Sequence, residues 1–94
     1  MIIIAGHELV DAGERDAYVA AHRDLVARAR TCDGCLHVAI TADSVDLERI
    51  ISVEVWRDAE SLDRWRGQAK APNTATPKHA EVRRYEAVDG GPLF

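Results

Sequence analysis

The 94 residues include only two cysteines, one phenylalanine and one methionine, and no apolar run approaches the roughly 20 residues that span a bilayer. Two cysteines do not make a secreted disulfide framework, so a reducing cytoplasm is the expected setting. The opening Met1-Ile2-Ile3-Ile4-Ala5 is too short for a signal h-region and has no basic flank, so it reads as a strand. Positive charge is not in excess: 12 Lys and Arg stand against 16 Asp and Glu, a formal net charge of −4. The arginines are scattered among carboxylates, which leaves no stripe to track a phosphate backbone, and nucleic acid is not an expected partner. Repeats and low-complexity tracts are missing as well.

What is present is an ordinary globular balance, 47% hydrophobic and 30% charged, in a chain sized for one domain with one small core. Residues 1–94 are read as a single unit, with a core from about residue 2 to 88 and a tail from 89 to 94. Ile2 to Val10 is apolar or β-branched at most positions and predicts a strand, with Ile2 and Ile4 on one face and Ile3, Ala5, His7 and Leu9 on the other. Asp11 followed by Glu14 suggests a helix start. The run to Arg30 sets Tyr18, His22, Leu25, Val26 and Ala29 on one side of a long amphipathic helix.

Leu36, Val38 and Ile40 then alternate with polar or small residues, and Leu47 to Arg57 alternates again, with Ile51, Val53 and Val55 against Ile50, Ser52, Glu54 and Trp56. Two more strands follow from that period. Asp58 is placed to cap a second helix carrying Leu62 and Trp65 inward, Gly67 to stop it, and His79 to Val88 to form a last strand. The order β-α-β-β-α-β is that of an α+β, ferredoxin-like fold, two helices on one face of a four-stranded antiparallel sheet. Its other face is left bare, and the mixed Ser52, Glu54 and Trp56 stripe is expected there, against the sheet of a second copy.

The cysteines fall in Thr31-Cys32-Asp33-Gly34-Cys35-Leu36. A redox CxxC needs its first thiol at a helix N-terminus, where the dipole favours thiolate; here Cys32 follows a helix and Cys35 opens a strand. Zinc would need further ligands, and no second CxxC or paired HxxxH exists; His37 raises the count to three at most. Asp33-Gly34 is read as a reversal at positive φ, and the thiols as small packing groups. No metal or other cofactor is expected.

With the turn accounted for, a wider pattern stands out. Ala29-Arg30, then Asp33-Gly34-Cys35-Leu36, then Val53-Glu54-Val55-Trp56-Arg57-Asp58-Ala59-Glu60-Ser61-Leu62, and finally Val82-Arg83-Arg84-Tyr85-Glu86 together resemble the antibiotic biosynthesis monooxygenase family. The resemblance implies a homodimeric α/β barrel with a small-molecule pocket in each subunit. It also implies a monooxygenase that oxidises a phenol, anthrone or quinol-like substrate with O2, mostly without flavin or metal. Two alternatives stand beside it: a dimeric domain that binds a small molecule without chemistry, and haem degradation. The haem-degrading branch uses an Asn on the first strand, a Trp on the second helix and a His soon after; His7 stands where the Asn would be, Trp65 matches the Trp, and His79 comes later than usual.

Cofactor-free oxygenation requires a water-excluding cavity, a base and contacts that stabilise a carbanion-like substrate. His7 and Trp65 are the expected catalytic residues, His7 on the assumption that its strand face meets the helices. Tyr18, His22, Asn73 and His79 are expected to bind substrate, with residues 68–78 a lid or a connection. The competing assignments are plain: a core histidine at 7, a boundary histidine at 22, and packing tryptophans at 56 and 65.

Overall fold

The computed structural model describes every residue from 1 to 94. Four strands, β1 (Ile2–Leu9), β2 (Cys35–Ala42), β3 (Arg49–Trp56) and β4 (His79–Glu86), form one sheet in the order β2-β3-β1-β4, with every neighbouring pair antiparallel. Helices α1 (Arg15–Ala21), α2 (Arg23–Arg30) and α3 (Ala59–Arg66) complete the ferredoxin-like arrangement. No helix is long and apolar enough to cross a membrane.

The segment expected as one helix from Asp11 is divided. A 3-10 turn covers Ala12–Glu14, and the helix proper breaks at His22. The Asp11 carboxylate does not cap; it pairs with Lys78 Nζ at 3.2 Å. At the break, the His22 amide donates to the Val19 carbonyl at 3.2 Å, while the ring Nδ1 lies 2.8 Å from the carbonyl of Tyr18, four residues back. A side chain has thus entered the i to i−4 ladder, a recognised cause of helix irregularity. The second helix follows the sequence more closely: Asp58 Oδ1 accepts from the Ser61 amide at 2.8 Å, and the helix stops at Gly67, which keeps right-handed φ of −65°.

Residues directly opposite in a sheet share a face, so the register assigns the two sides. Ile2, Ile4, Gly6 and Glu8 lie with Trp56, Glu54, Ser52 and Ile50. That is the side the helices cover: Ile2, Ile4, Ala29, Val38, Trp56, Leu62 and Trp65 make the main core, and Val10, Tyr18 and Ile50 a second one. Trp56 is fully enclosed within the chain itself, contrary to the expectation that its stripe would be bare. Enclosing roughly 150–250 Å² at about 25 cal/mol per Å² is worth on the order of 4–6 kcal/mol gross, which explains why the tryptophan stripe wins the helices. The bare face instead carries the apolar stripe Ile3, Ala5, Leu9, Ile51, Val53 and Val55, all half-buried.

Two glycines are needed where they stand. Gly34 has φ of 85°, as the Asp33-Gly34 reading requires, and its turn is tied to the start of α3 by Arg57, whose guanidinium donates to both Asp33 carboxylate oxygens at 3.1 and 3.0 Å. At Gly6 the backbone of β4 comes so close that a Cβ would overlap the Glu81 carbonyl oxygen and sit 2.6 Å from Val82 Cα.

Candidate functional site

Between the helices and the sheet lies a cavity of about 400 Å³. Its apolar walls come from Ile4 of β1, Leu25 and Val26 of α2, Ile40 of β2, Trp65 of α3 and Val82 of β4. Its polar lining is sparse: Glu8, His22, Ser52, Glu54 and Arg66. An apolar hollow with a few converging polar groups is the usual form of a small-molecule site. Between Ile4 and Glu8, Gly6 lets the backbone of β4 approach β1 closely, which brings Val82 to the cavity wall.

The polar groups are held in place by named partners. The Tyr18 hydroxyl donates to Glu8 Oε2 at 2.6 Å, and its ring lies 4.3 Å from that of His22, centroid to centroid. Burial, and next the hydrogen bond to Glu8, push the Tyr18 phenol far above its ordinary range, so it remains a neutral donor. A carbonyl oxygen only accepts; the 2.8 Å contact with the Tyr18 carbonyl therefore requires the proton of neutral His22 on Nδ1. That leaves Nε2 as the ring's free lone pair. Glu54 Oε1 accepts from the Trp56 indole at 3.0 Å and its other oxygen lies 3.9 Å from Arg66, so this acid is also anchored.

Of the residues expected from sequence, Trp65 and His22 line this cavity, and Tyr18 joins it through Glu8 and His22. His7 does not: its face of β1 turns away from the helices, because the partners of His7 in register, Ile51 and Glu81, lie on the uncovered side. His79, opposite Leu9, is on that same side, 6.1 Å from His7 between ring centroids. Trp65 and His79 are thus separated by the sheet and cannot flank one haem. Asn73 is exposed in the irregular stretch before β4 and is not part of the lining.

Glu8, Ser52, Glu54 and Arg66 were missed by sequence reasoning. The signal was available in the Glu8 position: it follows Ile2 and Ile4 at period two and so shares their buried face. The cysteines behave as the turn reading expects. Both thiols are free, and burial pushes Cys35 above the ordinary thiol range, against thiolate formation.

Solved structures of similar fold cover nearly all of the chain. PA3566 from Pseudomonas aeruginosa shares 22% identity at a TM-score of 0.69, covering 94% of this chain and 93% of its own. A conserved protein from Methanosarcina mazei Go1 shares 16% at 0.72 over 89% of each chain. A structure described as an antibiotic biosynthesis monooxygenase shares 20% at 0.67, over 95% of this chain and 100% of its own. None of the curated proteins matches by sequence. The family model for antibiotic biosynthesis monooxygenase matches residues 1–76.

Proposed function

Because the chain belongs to the antibiotic biosynthesis monooxygenase family, we propose that it oxidises a small aromatic substrate of the phenol, anthrone or quinol type with O2 in the cavity between helices and sheet. The observation that carries this reading is the pairing of an apolar hollow of about 400 Å³ with one buried imidazole whose proton is fixed on Nδ1. Such a volume suits an aromatic of a few fused rings, with Trp65 as a flat wall.

His22 acts as the base. Its Nε2 takes a proton from the acidic O–H or benzylic C–H of the substrate, and the apolar walls keep bulk water from returning it. For an anthrone-type methylene, the carbanion passes one electron to O2 and the two radicals join as a C–O–O bond. Loss of the second C–H proton together with the O–O bond then gives the ketone and one water. All four electrons needed for O2 come from the substrate carbon and its two C–H bonds, so the balance closes without an external reductant. Glu8, held by Tyr18, and Glu54, held by Trp56, orient hydroxyl groups on the substrate.

The active unit in this reading is a homodimer, formed through the uncovered stripe of Ile3, Ala5, Leu9, Ile51, Val53 and Val55. Six half-exposed aliphatic side chains in one patch on so small a sheet are better placed against a second copy than against water.

The test is oxygen uptake with a panel of anthrones and quinols. His22→Ala is expected to lose on the order of 10²- to 10⁴-fold in kcat, the usual worth of a general base, while His7→Ala keeps its rate. Turnover unchanged in His22→Ala would refute the assignment. Tight binding of panel members without oxygen consumption would make the domain a binding module.

A further inference from the structure

The uncovered face of the sheet holds a second cluster, unrelated to the cavity. His7 of β1, with His79 and Glu81 of β4, places one donor atom from each side chain within 4.8 Å of the others. Glu81 is directly opposite His7, and His79 is one step along the same face of β4, opposite Leu9. The geometry points to a binding site for a divalent transition-metal ion, zinc in the first instance, held by two imidazoles and one carboxylate.

The donor set is of the right kind. Neutral imidazole nitrogen suits zinc and its first-row neighbours, and two histidines with one acid leave a fourth, open position for water or another ligand. Zinc holds such donors at about 2.0–2.2 Å, which separates them by roughly 3.4 Å in a tetrahedron. The observed spread of up to 4.8 Å closes by rotation of side chains that are exposed or half-exposed, with no movement of backbone. β1 and β4 pair along their full length, which sets the three residues side by side in the assembled sheet. Two neutral histidines and one carboxylate bring a single negative charge to the ion.

Nothing else within the chain uses these side chains at this end of the sheet. Lys78 is taken by Asp11 and Glu48, and Arg49 lies beside Asp46. His7 lies between Ala5 and Leu9 and opposite Ile51, within the stripe assigned to the homodimer, so in that assembly the ion would sit at the contact between copies. The sequence hides the cluster, because its members come from the first and last strands and show no short ligand spacing. The CxxC pair, which does show one, lies at the far end of β2.

Zinc and cobalt(II) binding to the untagged full chain tests the site. Competition with a chromophoric chelator is expected to show one zinc per chain, and cobalt(II) the visible d–d bands of a tetrahedral ion without thiolate charge transfer. Removing an outer partner of a metal ligand commonly costs 10- to 100-fold in affinity, so His79→Ala and Glu81→Gln, which remove ligands themselves, should each weaken zinc by at least about tenfold. His37→Ala and the double variant Cys32→Ser/Cys35→Ser should bind as the parent does. Absence of binding by the parent, affinity undiminished in both ligand variants, or loss of binding in the cysteine variant would each overturn the site. Oxygen uptake plays no part in this measurement, so its outcome is independent of the cavity's chemistry.

Discussion

Replacing Gly6 with alanine adds one methyl group where the backbone of β4 already stands. The new Cβ would overlap the Glu81 carbonyl oxygen and approach Val82 Cα to 2.6 Å, and neither atom can swing aside as the end of a flexible side chain could. Overpacking of this sort costs about 1–3 kcal/mol, and the backbone identity of both obstacles puts Gly6→Ala near the upper end. A domain of 94 residues has roughly 5–14 kcal/mol of stability in total, so about 3 kcal/mol is a large share of it. In urea, with a slope of about 1–3 kcal/mol per molar, the midpoint should fall by about 1–3 M. Gly13→Ala is the control: nothing lies within 4 Å of its added methyl, and the change should be neutral or slightly stabilising. Protein concentration must be equal in all samples, since the stability of the proposed homodimer would depend on it. A Gly6→Ala midpoint indistinguishable from the parent would show that β4 yields freely, and would refute the claim that glycine at this position sets the β1–β4 spacing.

Tyr18→Phe should cost about 1.5–3 kcal/mol in the same assay, because the lost hydrogen bond runs to a carboxylate; a loss under about 0.5 kcal/mol would mean that Glu8 finds another partner. Asp58, whose carboxyl is held down to about 2 by hydrogen bonds from the side chain and backbone of Ser61, gives a pH signature. Its folded value lies below the unfolded one of roughly 3.9, so its contribution is complete above that pH and is lost as pH falls through about 2. The stability of Asp58→Asn should therefore decline less steeply than the parent's over that window, and parallel curves would contradict the cap. Cys35, with its thiol raised by burial, should react with iodoacetamide at neutral pH more slowly than a free thiol in a Cys32→Ser background; a rate equal to that of free cysteine would show the burial to be ineffective.

The order of elements was legible because hydrophobic period changes cleanly along the chain: Leu36, Val38 and Ile40 alternate, whereas Leu25, Val26 and Ala29 recur at helical spacing. The choice of sheet face was not. In β1 both sides begin apolar, Ile2 and Ile4 against Ile3 and Ala5, so period alone cannot say which meets the helices. In β3 the purely aliphatic stripe of Ile51, Val53 and Val55 looks like the core, yet the mixed stripe with Ser52, Glu54 and Trp56 is the one enclosed. A lined cavity needs some polar groups on its inner side, and that need reverses the simple rule of apolar inward. His7 was carried to the wrong side by the same rule, whereas Trp65, on a helix whose inner face is unambiguous, and His22, at the junction of α1 and α2, arrive at the cavity. The break at His22 could not be foreseen either, because it depends on a ring nitrogen reaching a carbonyl four residues back.

Strand β4 pairs with β1 alone, and each of its eight residues is exposed, although Ala80 and Val82 form part of the cavity wall. One side of the chamber is therefore a slat held by a single seam, the strand expected to open first while the other three strands and the helices stay assembled. Backbone amides of β4 should exchange with deuterium well ahead of those in β3, and the frequency of that unzipping would then set how often a bulky guest is admitted or let go.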